Sequence, residues 1–89
     1  MKSRTTRQFR KMFDALHVSV REQAKAAYLM FQQNPAHPGL QFKKVHDKLP
    51  VYSARINLDY RTVGVLNSDE IVWFWIGSHA EYDKVLKRL

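Results

Sequence analysis

Phe9, Met12, Phe13 and Leu16 recur three and four residues apart, the spacing of one apolar stripe along a short helix. Ser19 followed by Glu22 reads as a capping box opening a second helix, whose apolar face is Val20, Ala24, Ala27, Tyr28 and Phe31. Asn34-Pro35 ends that helix and Pro38-Gly39 continues the turn. The two helices make an αα-hairpin hinged near His17-Val18. Beyond them the period shortens to two. Leu40–Val45 is a short, irregular strand candidate. Tyr52–Asn57 alternates, with Tyr52, Ala54 and Ile56 on one face and Ser53, Arg55 and Asn57 on the other. Tyr60–Leu66 is a third strand. Ile71–Ile76 is apolar on both faces and is expected to be central or covered on both sides. Within it, simple alternation puts Trp73 and Trp75 together on one face, under the helices, so that they and Phe74 read as core or sheet-covering residues rather than a base-stacking platform. Asn67-Ser68-Asp69 joins the last two strands as a tight polar turn, and Glu81–Leu89 is a final short helix. The order α-α-β-β-β-β-α predicts an α+β domain over residues 1–89, with helices packed on one face of a mostly antiparallel four-stranded sheet.

Composition narrows the setting. At 89 residues the chain is one domain with a modest core. It has no cysteine, so disulfides and thiolate metal sites are excluded, and the usage suits a reducing, cytoplasmic setting. Charge near the N-terminus without a following apolar run argues against a signal peptide. The longest apolar stretches, Ile71–Ile76 among them, fall far short of the roughly 20 residues that span a bilayer, so no membrane partner is expected. The net charge of +7 falls in two zones. Lys2, Arg4, Arg7, Arg10 and Lys11 face only Asp14; Lys43, Lys44, Lys48, Arg55 and Arg61 face Asp47 and Asp59. Such a balance favours nucleic acid or an acidic protein as partner. The four histidines are scattered and lack HExxH spacing, so neither a metal site nor a cofactor is expected.

The candidate chemistry centres on His79, which follows the apolar strand and Gly77-Ser78. RNA cleavage without a metal needs a proton taken from the 2′-hydroxyl, charge neutralised on the phosphate, and a proton given to the 5′-oxygen. Histidine suits either proton role, and arginine suits the phosphate through planar, bidentate contacts. His79 is equally a residue type that caps or packs a helix. Arg55 lies on the face opposite Tyr52, Ala54 and Ile56, and Arg61 opens the next strand. Each can clamp phosphate, meet a partner's carboxylate, or only solubilise the sheet. Two nearby arginines repel, and a polyanion relieves that cost. Asp59 can act as a base or orient His79, or be an ordinary turn residue. Lys43 and Lys44 are candidates for backbone phosphate, His46 and Lys48 are RNA-binding candidates in the same basic loop, and His46 can be a general base or a solvated loop residue. Tyr82 can stack on a base or pack its helix on the sheet.

Asn34-Pro35-Ala36-His37-Pro38-Gly39-Leu40, Phe42-Lys43-Lys44, Val51-Tyr52-Ser53-Ala54-Arg55-Ile56, Asp59-Tyr60-Arg61 and Trp75-Ile76-Gly77-Ser78-His79-Ala80-Glu81-Tyr82-Asp83, in that order after an amphipathic helix pair, resemble the RelE/ParE superfamily of bacterial type II toxins. The likeness covers about residues 9–88. It implies a RelE-like fold, a cognate antitoxin partner and a toxin–antitoxin hetero-oligomer. RelE-type members cut messenger RNA on the ribosome, ParE-type members poison DNA gyrase without being enzymes, and a basic binding protein of the same fold that lacks catalysis is the further alternative. Gly77-Ser78-His79 looks like the C-terminal site histidine of the YafQ branch. Arg55 falls where other members place an active-site histidine or lysine, Asp59 matches an acidic YafQ site residue, and Arg61 a phosphate-binding arginine of RelE. Ser53 stands where RelE has a lysine, and His46 matches an upstream YafQ histidine only by sliding the loop. The family opens with a strand. Here only Lys2–Thr6 is available for one, and that stretch is polar.

Overall fold

The computed structural model describes Met1–Leu89 as β1 (Lys2–Thr5), α1 (Arg7–Asp14), α2 (Val18–Gln33), a 3₁₀ turn (Pro38–Leu40), β2 (Lys43–Lys44), β3 (Val51–Arg55), β4 (Tyr60–Asn67), β5 (Glu70–Ser78) and α3 (His79–Lys87). One mixed sheet runs in the order β1-β5-β4-β3-β2. The α+β class is as expected, but the sheet has five strands rather than four. The polar N-terminal stretch is the additional one. β1 runs parallel to β5, with Lys2 beside Glu70 and Thr5 beside Trp73. Its backbone ladder makes it a strand, extended by Lys2 N–H to Asp69 O at 2.8 Å and Thr6 N–H to Trp73 O at 3.0 Å. Apolar side chains are not required for that, and a charged edge also discourages pairing with another chain.

Local chemistry sets the helix boundaries. Thr6 caps α1 by accepting Phe9 N–H at 3.1 Å. Ser19 does not open α2, because the cap lies two residues earlier. His17 Nδ1 accepts Ser19 N–H at 3.1 Å, which places Ser19 inside the first turn. The buried face of α2 is Val20, Ala24, Ala27 and Phe31, in agreement with the periodicity. The expected strand Leu40–Val45 shrinks to Lys43–Lys44. Pro38 favours a helical turn, His37 Nδ1 accepts Gly39 N–H at 3.0 Å, and Gln41 leaves the turn with φ 46°. The Asn67-Ser68-Asp69 turn joins β4 and β5 as expected, with Ser68 at φ 56°.

The helices do not share one face. α1 and α2 lie over one side of the sheet, around a core of Ala27, Phe31, Leu40, Ala54, Ile71 and Trp73. Phe31 meets Trp73 edge-on at 5.4 Å and Phe42 at 5.0 Å. α3 covers the other side through Tyr82, which packs with Val51 and Val63. A helix on each side explains why β5 is apolar in both directions, as its pattern predicted.

Trp73 and Trp75 do not share a face either. Val63 opposes Trp75 while the next residue of β4, Gly64, opposes Trp73, so Phe74 is an extra residue in β5. This β-bulge breaks the alternation. Trp73 joins the α2-side core and Trp75 the α3 side. Gly64 allows the crowding, since a Cβ there would lie 2.8 Å from Trp73 Cε3 and 2.9 Å from the Val72 carbonyl oxygen.

Candidate functional site

On the α3 side, Gln41, Lys43, Ser53, Arg55, Arg61, His79 and Tyr82 line a recess of about 90 Å³. Three of these residues are cations and none is a carboxylate. Arg55 and Arg61 stand directly opposite each other across β3 and β4, where like charges are unfavourable. Each is oriented by carbonyl oxygens. Arg55 Nε donates to Gly39 O at 3.3 Å, and Arg61 Nη1 donates to Asn57 O at 2.6 Å and Tyr60 O at 2.9 Å. The ion pairs of the protein, Arg4–Glu70, Lys25–Glu22 and Lys84–Glu81, involve neither. The recess therefore holds an uncompensated positive charge with room for a small anion.

His79 is the first residue of α3, not part of a loop before it. Ser78 Oγ caps the helix by accepting Glu81 N–H at 3.3 Å, and His79 N–H donates to Asp59 O at 2.6 Å. The His79 side chain is exposed, 5.8 Å from the Tyr82 ring. The other three histidines each use Nδ1 to accept a nearby backbone N–H: His17 from Ser19, His37 from Gly39, and His46 from Lys48 and Leu49. His79 alone has a ring with no hydrogen bond, so both of its nitrogens are available to a ligand.

The other candidates divide. Lys43 lines the recess beside Ser53, but Lys44 opposes Tyr52 and so faces the opposite side of the sheet. Lys48 is exposed in the loop before β3 and does not line the recess. Asp59 contributes its backbone carbonyl to His79, while its carboxylate stays exposed in the β3–β4 turn. Tyr82 is 7% exposed and donates its hydroxyl to Ser53 Oγ at 3.1 Å, so it packs the helix and offers no free face to a base. Ser53 and Gln41 are members of the recess not singled out beforehand as site residues. Period two put Ser53 on the Arg55 face and was the available signal; Gln41 arrives through a left-handed backbone turn that its sequence does not announce.

His46 lies outside the recess and works as a clamp. Its Nδ1 accepts Lys48 N–H at 3.1 Å and Leu49 N–H at 3.0 Å, which leaves Nε2 to donate to Leu89 O at 3.3 Å, just past α3. His46→Ala is expected to cost about 1 kcal/mol. In a domain of this size that lowers the melting temperature by about 4–8 °C. His46→Asn, which keeps a short acceptor, should recover part of the loss in the same thermal melt.

The helix pair over a five-stranded sheet, with a last helix behind it, is the RelE-like toxin fold. One chain of the RelB–RelE antitoxin–toxin complex from Methanococcus jannaschii superposes with a TM-score of 0.74 at 17% identity, covering 92% of this chain and 96% of that one. The YoeB/ParE toxin from Agrobacterium tumefaciens gives 0.70 at 13% identity, covering 89% and 99%. The DinJ–YafQ toxin–antitoxin complex from E. coli gives 0.68 at 15% identity, covering 90% and 93%. No curated protein matches the sequence. The family described as ParE-like toxin domain matches residues 18–84, and the chain belongs to it, within the RelE/ParE superfamily.

Proposed function

We propose that this chain is the toxin of a toxin–antitoxin pair and a ribosome-dependent endoribonuclease that cuts translated messenger RNA. The observation that carries this reading is the hydrogen-bond-free imidazole of His79 beside the uncompensated Arg55 and Arg61. A phosphate seated between the arginines relieves their repulsion, and Lys43 adds to the attraction. The 2′-oxygen attacks the adjacent phosphorus in line, the bond to the 5′-oxygen breaks, and a 2′,3′-cyclic phosphate and a 5′-hydroxyl result. The arginines stabilise the charge that builds on the non-bridging oxygens. His79 takes the 2′-proton or supplies the proton that the 5′-oxygen needs. The recess offers no second imidazole and no carboxylate for the other proton, and the ribosome completes the site and presents the RNA. Such a protein works in the cytoplasm.

The antitoxin of this reading is an acidic, amphipathic protein. Its carboxylates meet the recess. Its apolar face fits the groove of about 520 Å³ between the helix pair and the sheet, lined by Phe9, Phe13, Tyr28, Ile56 and Ile76 among others.

One observation favours a second reading. With a single imidazole and no carboxylate in the recess, the protein is also consistent with a ParE-like, non-enzymatic toxin that binds gyrase. Induced expression in a bacterium with mapping of RNA 5′ ends decides between them. New ends inside translated codons support the nuclease; growth arrest with DNA breaks and intact RNA supports the gyrase reading.

A further inference from the structure

The two tryptophans, alike in sequence, sit in different chemistry. Trp73 is 3% exposed and its Nε1–H donates to Ser3 Oγ at 3.0 Å. Trp75 is half-buried, and its Nε1–H has no acceptor in the protein. The bulge at Phe74 turns Trp75 onto the recess side of the sheet. Its six-membered ring lies over Gly77, where a Cβ would come within 2.7 Å of Cζ2 and 3.0 Å of Cη2. Gly77 is the cross-strand neighbour of Arg61, and the Trp75 ring centre is 6.4 Å from that of Tyr82. A partly open indole therefore flanks the cationic recess, and a glycine makes room for it to lie along the strand.

The recess is too small for a nucleotide. At about 90 Å³ it is well below the roughly 150 Å³ of a cavity that holds one benzene ring, enough for a phosphate group but not for a base and sugar as well. A base attached to that phosphate must rest outside, on whatever borders the recess. Tyr82 is buried and its hydroxyl is committed to Ser53, which leaves the half-buried Trp75, lying over Gly77 beside Arg61, as the neighbouring aromatic with exposed surface. We propose that Trp75 is a stacking seat for one base of single-stranded RNA whose neighbouring phosphate occupies the Arg55–Arg61 recess. This rests on the RNA reading above and adds how the chain holds its substrate. Stacking tolerates any base, so the seat contributes affinity and register, while the free Nε1–H gives it one polar contact.

Trp73→Phe in the full chain leaves Trp75 as the single tryptophan and its own fluorescent reporter. The probe is an uncleavable 2′-O-methyl oligonucleotide of mixed sequence, titrated at low salt where phosphate contacts are strongest. Quenching that saturates with binding is expected. In the otherwise wild-type chain, Trp75→Leu should weaken binding about tenfold and Trp75→Tyr only about two- to threefold, from the usual worth of one stacked base. Melting curves identify any variant that has lost its fold, and Trp75→Tyr, which keeps an aromatic ring in the packing, carries the comparison if Trp75→Leu unfolds. Binding without quenching, or wild-type affinity in Trp75→Leu alongside loss in Arg55→Ala, overturns the seat and leaves the RNA reading standing. No binding by the wild-type chain also overturns it. The cleavage reading is decided separately by the cellular RNA ends.

Discussion

His79→Ala is expected to abolish codon-located RNA cleavage while leaving the protein folded. A positioned acid or base contributes about 10²–10⁴-fold to such a step, and the recess holds no second imidazole or carboxylate to replace it. The exposed imidazole makes no hydrogen bond, so its removal should change stability by less than about 0.5 kcal/mol. Helix α3 is held by the His79 backbone N–H and by the Ser78 cap, both of which alanine keeps. Arg55, Arg61 and Lys43 are untouched, so loss should appear in the rate of cleavage rather than in binding to RNA. The check is induced expression of wild type and variant side by side, with RNA 5′ ends mapped and soluble protein measured. Undiminished new ends in the variant would remove His79 from the chemistry and with it the mechanism proposed here.

The largest stability effect belongs to Trp73→Ala. The ring is nearly fully buried and packs edge-on against Phe31 at 5.4 Å and Phe42 at 6.2 Å. It also donates to Ser3 Oγ, joining β1 to β5 through side chains as well as backbone. Truncating a buried aromatic costs about 3–5 kcal/mol, a large part of the 5–15 kcal/mol that holds a typical domain. At about 4–8 °C per kcal/mol in a domain of this size, the melting temperature should fall by about 12 °C at the least. Trp73→Phe keeps most of the packing and should lose far less. Circular dichroism melts of the two variants test this, and a fall below about 5 °C in Trp73→Ala would mean that the aromatic cluster is not the core it resembles.

The central sheet and half of the site were readable from side-chain periods. The alternation of Tyr52–Asn57 put Arg55 on the recess face, and the apolar run Ile71–Ile76 announced a strand covered on both sides. What escaped had physical causes outside the local pattern. β1 is polar because its hydrogen bonds come from β5, far along the chain, so no apolar signal marks it. The bulge at Phe74 arises where β4 and β5 meet over Gly64, and single-strand alternation cannot register it. Tyr82 offered two readings until Ser53 appeared opposite its hydroxyl, which only the folded sheet supplies. The Lys43-Lys44 pair read as one phosphate-binding element, but a strand sends successive side chains to opposite faces.

The pairing of β1 with β5 also orders events during synthesis. The helix pair and the β3–β4–β5 meander close over short stretches of chain, whereas Lys2 meets Glu70 only after everything between them has been made. Long-range closure of this kind is the slow part of folding. A nascent chain that stops short of Glu70 has no partner for its first strand, no ring from Trp73 for its core, and no histidine at 79. Shape and reactivity are thus completed by the same late segment, and an unfinished copy carries neither.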